Sequence, residues 1–337
     1  MVTKVGTSGN DTLYGTQFAD ILKGLAGNDL LVGQGGNDRL EAGDGADRLE
    51  GGGGSDVLYA GSGIDALFGG DSADQLYGEG SDDFLDAGAG ADFLHGGSGF
   101  DRLRAGDGDD RLITGMGDDA RGGTGNDVLV FEASGVQKPG TTLLMGETGT
   151  DTLTINADTA TVATNGGTAP AYVGIFMGLS GSAGTLNFNN GTGGDTVEVG
   201  QFSGLEKFSV GDATQLYFVG GNLNATVTGS NQADVLIFGS GNETFAGRGG
   251  ADDYVIFSNS GDTDRIVGFN SAEDQVWSDI WFNSNGDPIA NRNIKEVGGE
   301  TVVTTTSFAG QVLHELHIDA VGLPPDVFGD WGTWNGA

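Results

Sequence analysis

An all-β chain wound as a parallel solenoid is the fold class this sequence predicts, and three observations predict it. Aspartates stand at Asp11, Asp20, Asp29, Asp38, Asp47, Asp56, Asp65, Asp74, Asp83, Asp92, Asp101, Asp110 and Asp119, one every nine residues, with Asp127 eight further on. A period that strict is one structural unit copied in series, here fourteen times. Two residues after each aspartate stands leucine, Arg121 in the shortened unit at 114–121 being the exception. Glycine recurs at the first, second and fourth places of the unit, as in GGTGNDVLV at 122–130.

Each part of the unit has a physical reading. The triad around a leucine, such as Thr12-Leu13-Tyr14, is a short strand whose alternation turns leucine inward and its neighbours outward. The six residues ahead of the leucine form a tight turn, which glycine permits through positive φ and bare backbone. Two units make one full turn, so loops eighteen residues apart stack at the strand spacing of roughly 4.8 Å. Asp11, Asp29, Asp47, Asp65, Asp83, Asp101 and Asp119 then line one edge, and Asp20, Asp38, Asp56, Asp74, Asp92, Asp110 and Asp127 the other. Carboxylates ranked at that spacing repel one another by roughly 1 kcal/mol per close pair even in water. A hard cation between stacked loops, ligated only by carboxylate and carbonyl oxygens, removes the repulsion, and the loop is roomier than Mg²⁺ tolerates. Calcium is therefore the expected cofactor, with up to about twelve ions in the gaps between rungs.

The unit resembles the glycine- and aspartate-rich nonapeptide of the repeats-in-toxin (RTX) family, G-G-x-G-x-D-x-U-x with U large and apolar, over residues 6–130. The resemblance implies a right-handed, calcium-bound parallel β-roll. It also implies export through a type I secretion channel that reads an uncleaved C-terminal signal, with folding outside the cell. Sites of roughly 10⁻⁴ to 10⁻³ M affinity would stay empty in cytosol and fill in millimolar calcium. Relatives named by the resemblance are type I secreted surface-layer and matrix proteins and the repeat domain of serralysin-type proteases.

Composition agrees with a calcium-loaded extracellular chain. Forty-eight acidic against fourteen basic residues leave a formal charge of −34, which excludes nucleic acid as a partner. Cysteine is absent, so no disulfide supplies the stability that bound calcium can supply instead. The start, Met-Val-Thr-Lys-Val, carries no charged n-region followed by an apolar h-region, and no run is long enough to span a bilayer. With five residues ahead of the first unit, the rungs at Asp11 and Asp20 are expected to have incomplete metal shells covered by a neighbouring protomer.

Beyond residue 130 the register loosens. Residues 131–228 read as an irregular continuation of the solenoid, with one further unit, GETGTDTLT at 146–154, placing Asp151 in the metal position. A separate β-sandwich is the rival for this stretch. A second block at 229–276 puts Asp234, Glu243 and Asp252 in the metal position and ends in a closing segment with Asp262, Asp264 and Asp274 as further candidates. Residues 277–337 form a C-terminal cap and secretion signal. They hold Trp277, Trp281, Trp331 and Trp334, read as core rather than as a sugar platform.

No catalytic constellation appears, so an enzyme is not expected. His314-Glu315-Leu316-His317 superficially resembles H-E-x-x-H, but its second histidine comes one residue early and its flanks read as strand. His95 takes an outward strand position. The outward positions also stack aromatics on adjacent rungs (Tyr59, Tyr77, Phe93; Phe68, Phe84) among Lys23, Arg39, Arg48, Arg102, Arg104, Arg111 and Arg121. The expectation is a secreted structural protein that self-assembles on a cell surface or in a matrix. A polysaccharide-binding adhesin or module is the alternative.

Overall fold

The computed structural model describes residues 1–133, 142–157, 172–177, 183–189, 196–203, 205–210, 215–219, 224–239, 241–256, 262–278, 291–306, 312–323 and 328–330. Their secondary structure is entirely β, in thirty-two strands. No helix among these residues is long and apolar enough to cross a membrane. The chain divides into two units, Met1–Asn156 with Val199–Leu205, and Ala157–Glu198 with Glu206–Ala337.

In the first unit successive strands alternate between two parallel sheets. The first sheet runs through Thr3–Val5, Ile21–Ala26, Arg39–Asp44, Val57–Ser62, Gln75–Gly80, Phe93–His95, Arg111–Thr114, Val128–Ala133 and Thr152–Ala157. The second runs through Thr12–Thr16, Leu30–Gly35, Arg48–Gly53, Ala66–Asp71, Phe84–Ala89, Arg102–Asp107, Asp119–Thr124 and Thr142–Thr148. Register follows the doubled repeat: Leu13 lies beside Leu31, Leu31 beside Leu49 and Leu49 beside Leu67, each eighteen residues on. The repeat leucines, every ninth residue from Leu22 to Leu112, and Leu129, are wholly buried between the sheets. Fully burying such a side chain contributes roughly 1.5–3 kcal/mol, so two leucines per rung, one from each sheet, stabilise every turn alike.

Turn geometry explains the glycines at two places. Second and fourth places lie in the left-handed region, from Gly43 at +114° and Gly45 at +146° onwards. The requirement holds even where glycine is missing, since Leu25, Gln34 and Glu79 adopt +87°, +80° and +71°.

Two expectations are corrected here. In the shortened unit the deletion falls ahead of the aspartate, so Ala120 lies beside Leu103 and is wholly buried, while Arg121 lies beside Arg104 on the outward side. Arg121 is thus not in the leucine column. The rung at Asp20 is also covered from within the chain: Thr3–Val5 pairs in parallel with Ile21–Lys23, and the Val2 N–H donates to Asp20 Oδ1. The rung at Asp11 has no such cover among the described residues.

The second unit keeps parallel pairing, as in Tyr217–Val219 beside Val235–Ile237 and Val235–Phe238 beside Asp253–Ile256. It interrupts it with antiparallel pairs. Tyr172–Met177 pairs antiparallel with Ala183–Asn189. Near the C-terminus Asn291–Val297, Glu300–Thr306 and Val312–Ile318 form an antiparallel meander whose last strand runs parallel to Asp262–Val267. The first hairpin turns on Gly298 and Gly299, both at positive φ, as a two-residue turn of that hand requires. His314–His317 therefore belongs to a strand, as its flanks suggested. His317 bonds Glu300 and Glu315 at 3.1 and 2.8 Å, and Arg265 also bonds Glu300. Trp277 packs against Val235, Ile237 and Val255, and its ring N–H donates to Asp253. Trp281, Trp331 and Trp334 lie outside the described residues.

Candidate metal centres

From Asp29 to Asp110, each repeat aspartate of the first block receives a backbone N–H from the rung before it. The backbone N–H groups of Asp11, Asp29, Asp47, Asp65 and Asp83 donate to Oδ1 of the aspartate eighteen residues on, at 2.7–2.9 Å. On the other edge Asp20, Asp38, Asp56, Asp74 and Asp92 do the same, each at 2.7 Å. Two ladders of singly bonded carboxylates result, with the carboxylates from Asp20 to Asp110 nearly inaccessible to solvent.

The second oxygen of each group is the informative one. Oδ2 of Asp29, Asp38, Asp47, Asp56, Asp65, Asp74, Asp83, Asp92, Asp101, Asp110 and Asp127 is buried without a hydrogen-bond partner. Leaving one buried polar atom unsatisfied costs about 1–3 kcal/mol, more for an ionised one, so a row of eleven needs an external partner. These oxygens face the first-place glycines. A Cβ on Gly24, Gly33, Gly51, Gly69 or Gly78 would lie under 3.0 Å from both the Oδ2 of its own unit and the carbonyl oxygen of the first-place residue one turn on. Ala42, Ala60, Ala87 and Ala105 hold the first place elsewhere, so a methyl is the largest group found there among units 24–32 to 105–113. The first glycine is therefore small for a reason other than φ: its bare Cα borders an oxygen-lined place.

Among the described residues no three His, Cys, Asp or Glu side chains converge on one point. A cation here would take its remaining ligands from backbone carbonyls of stacked loops, an all-oxygen set of the kind calcium accepts. Without a cation, burial works against ionisation. It pushes Asp56, Asp74, Asp101 and Asp110 up to about 7, Asp83 to about 8, and Asp65 and Asp127 to about 6, although the N–H donated from the previous rung pulls the other way. Asp20 goes the other way. Burial acts to raise it, but N–H groups of Val2 and Thr16 and the Thr16 hydroxyl together hold it below its ordinary value.

Asp119, expected at the metal position, is not there. Asp118 Oδ1 accepts the Asp101 N–H at 3.0 Å, and its Oδ2 accepts the Gly115 N–H at 2.6 Å. Asp119 opens the following strand on its outward side and pairs with Arg121. One turn further, Thr142 rather than an acid follows Asp118, taking the Gly117 N–H on its hydroxyl. On the opposite edge Asp110 donates to Asp127 and Asp127 to Asp151, which continues the ladder across a longer loop.

The second unit repeats the arrangement. Leu216 N–H meets Asp234, Asp234 N–H meets Asp252, and Asp252 N–H meets Asp274, at 2.7, 2.9 and 3.1 Å. Glu243 N–H meets Asp264 at 2.9 Å, so Asp264 and Asp274 both take the ladder position in the closing segment. Tyr254, in the leucine column, sends its hydroxyl to the Gly247 N–H beside Asp252. The backbone of Asp262 begins a strand, and its side chain lies outside the description.

A second row of residues was not singled out from the sequence. Asn10, Asn28 and Asn37, at the fifth place, accept the N–H of the residue one turn on at 2.9–3.1 Å, and Asp82 and Asp109 substitute for asparagine in the same role. The signal was the recurrent Asn-Asp pair.

No curated protein matches this chain. The family model of the RTX calcium-binding nonapeptide repeat (4 copies) matches residues 5–40, 32–67, 59–94, 87–120 and 219–254. Those matches coincide with the stacked aspartate ladders, and residues 5–120 and 219–254 are RTX calcium-binding nonapeptide repeats.

Proposed function

We propose that this chain is a secreted, calcium-dependent structural protein that self-assembles at a cell surface or in an extracellular matrix. The observation that carries the reading is the double row of buried, partnerless Oδ2 atoms, which makes a compact fold depend on a cation that is abundant outside cells. Asp11, Asp20, Asp29, Asp38, Asp47, Asp56, Asp65, Asp74, Asp83, Asp92, Asp101, Asp110, Asp127, Asp151, Asp234 and Asp252 are the proposed ligand set, with Asp118 in place of Asp119. Export by a type I system is part of the reading.

Outward ladders support assembly. Tyr59 and Tyr77 stack with centroids 4.8 Å apart and planes within 5°, and Phe93 continues the row 5.5 Å beyond Tyr77. Arg39 covers the other face of the row at 4.4 Å from Tyr59. His95, half-buried, meets Tyr77 edge-on. These ring faces are already occupied, whereas a sugar would need a free face, which counts against the polysaccharide-binding alternative. Electron microscopy of the purified chain tests the proposal: sheets or filaments in millimolar calcium and dispersed particles in chelator are expected. Dispersed monomers under both conditions would overturn it.

A further inference from the structure

From the outward side of the second sheet we infer that a second copy of this chain docks there through a two-fold contact centred between the strands Phe84–Ala89 and Arg102–Asp107. This deepens the proposed self-assembly and rests on it. In register Phe84 lies beside Arg102 and Asp86 beside Arg104. All four face outward, because Leu85 and Leu103 between them are wholly buried. Phe68 lies beside Asp86 one rung back, and Arg121 beside Arg104 one rung on.

Charge makes this patch unusual. Arg48 pairs with Glu50, and Arg121 with Asp119, which leaves exposed Arg102 and Arg104 without an ion pair among the described residues. Arg104 lies over the Phe84 ring at 5.4 Å, as Arg48 lies over Phe68 at 4.1 Å. In a chain of forty-eight acidic and fourteen basic residues, two adjacent arginines that flank Asp86 and Asp119 in register yet make no ion pair within the described residues are free to pair with an anion from outside.

Symmetry supplies that anion. The two central strands run parallel and in register, so a two-fold axis along the strand direction, midway between them, exchanges them without changing level. Each Arg104 then meets the partner subunit's Asp86, and each Arg102 meets the partner subunit's Phe84. One rung out, Phe68 and Arg121 meet in the same way. The patch is thus self-complementary in charge and in cation–ring contacts. A free polyanion would match the arginines but would set its charge against Asp86.

Sedimentation velocity on the full chain in millimolar calcium tests this. The parent is expected to dimerise, with Asp86→Arg and Arg104→Asp each weakening association about tenfold or more by juxtaposing like charges. An equimolar mixture of the two variants should associate like the parent, since every facing pair is then opposite in charge. Lys207→Ser, at an exposed strand position of the second unit, should change nothing. Association of both single variants at parental strength would overturn this contact while leaving the proposed assembly standing. Failure of the mixture to associate would also overturn it. A parent that stays monomeric overturns both, and a monomer that binds polygalacturonate through Arg102 and Arg104 assigns the face to an anionic glycan instead. Unchanged calcium-dependent circular dichroism of each variant confirms that it folds.

Discussion

The backbone N–H of Asp56 donates to Oδ1 of Asp74, one full turn on, at 2.7 Å. One oxygen of Asp74 thereby holds two rungs in register, and the other is left buried and partnerless. The bond that builds the stack is the same one that aims the free oxygen at the loop. Folding and cation uptake are thus coupled through single side chains, and the coupling repeats at every rung.

That coupling sets a pH dependence in the absence of calcium. Asp56, Asp74 and Asp83 have folded values of about 7, 7 and 8, pushed up by burial, so the folded state keeps protons that the unfolded chain has released. Stability then falls as pH rises from about 4, the unfolded carboxyl value, through the folded values. In chelator the thermal midpoint should be higher at pH 5 than at pH 8. Calcium added at pH 7 should release protons into weak buffer, and a midpoint that rises with pH would contradict the assignment.

Register in the shortened unit is tested by calcium stoichiometry. Asp118→Asn should lower the number of ions bound and weaken the neighbouring sites, whereas Asp119→Asn, changing only a partner of Arg121, should leave it at the parental value. Isothermal titration calorimetry distinguishes the two, and equal losses would refute the placement.

Backbone conformation offers a stabilising change. Leu25 adopts φ +87° with its side chain exposed, so the leucine contributes strain and little burial. Leu25→Gly should raise stability by about 1 kcal/mol, the penalty a non-glycine residue incurs in the left-handed region. Denaturant unfolding in calcium would show it as a higher midpoint with unchanged slope.

The leucine column should be far less tolerant. Leu58 is wholly buried between rungs that repeat it on both sides, so Leu58→Ala leaves a cavity the stack cannot collapse and costs about 2–5 kcal/mol. Asp44→Ala, by contrast, removes an exposed carboxylate bonded to Ser62 and should cost well under 1 kcal/mol by the same unfolding measurement.

Much of this was legible in the residues. The nine-residue period carried the parallel register, the leucine core and the aspartate edges, because a strict period leaves each rung only one way to bury its leucine. Gly298-Gly299 was an equally readable hairpin signal that the reading of residues 277–337 as a cap passed over. The Asp118-Asp119 pair was different: two adjacent acids at a deletion fit the pattern equally well, and only the hydrogen bond to Asp101 separates them.

By itself, then, the sequence determined the unit, its pairing partner eighteen residues away and the all-oxygen chemistry of its loops, since spacing and residue type set these locally. Only the tertiary structure decided that the Val2 N–H closes the rung at Asp20, that the first glycine borders a carbonyl from the next turn, and that Arg48 and Arg121 make ion pairs whereas Arg102 and Arg104 make none among the described residues. Those relationships join atoms of different rungs. They arise from how the turns stack, which no single repeat encodes.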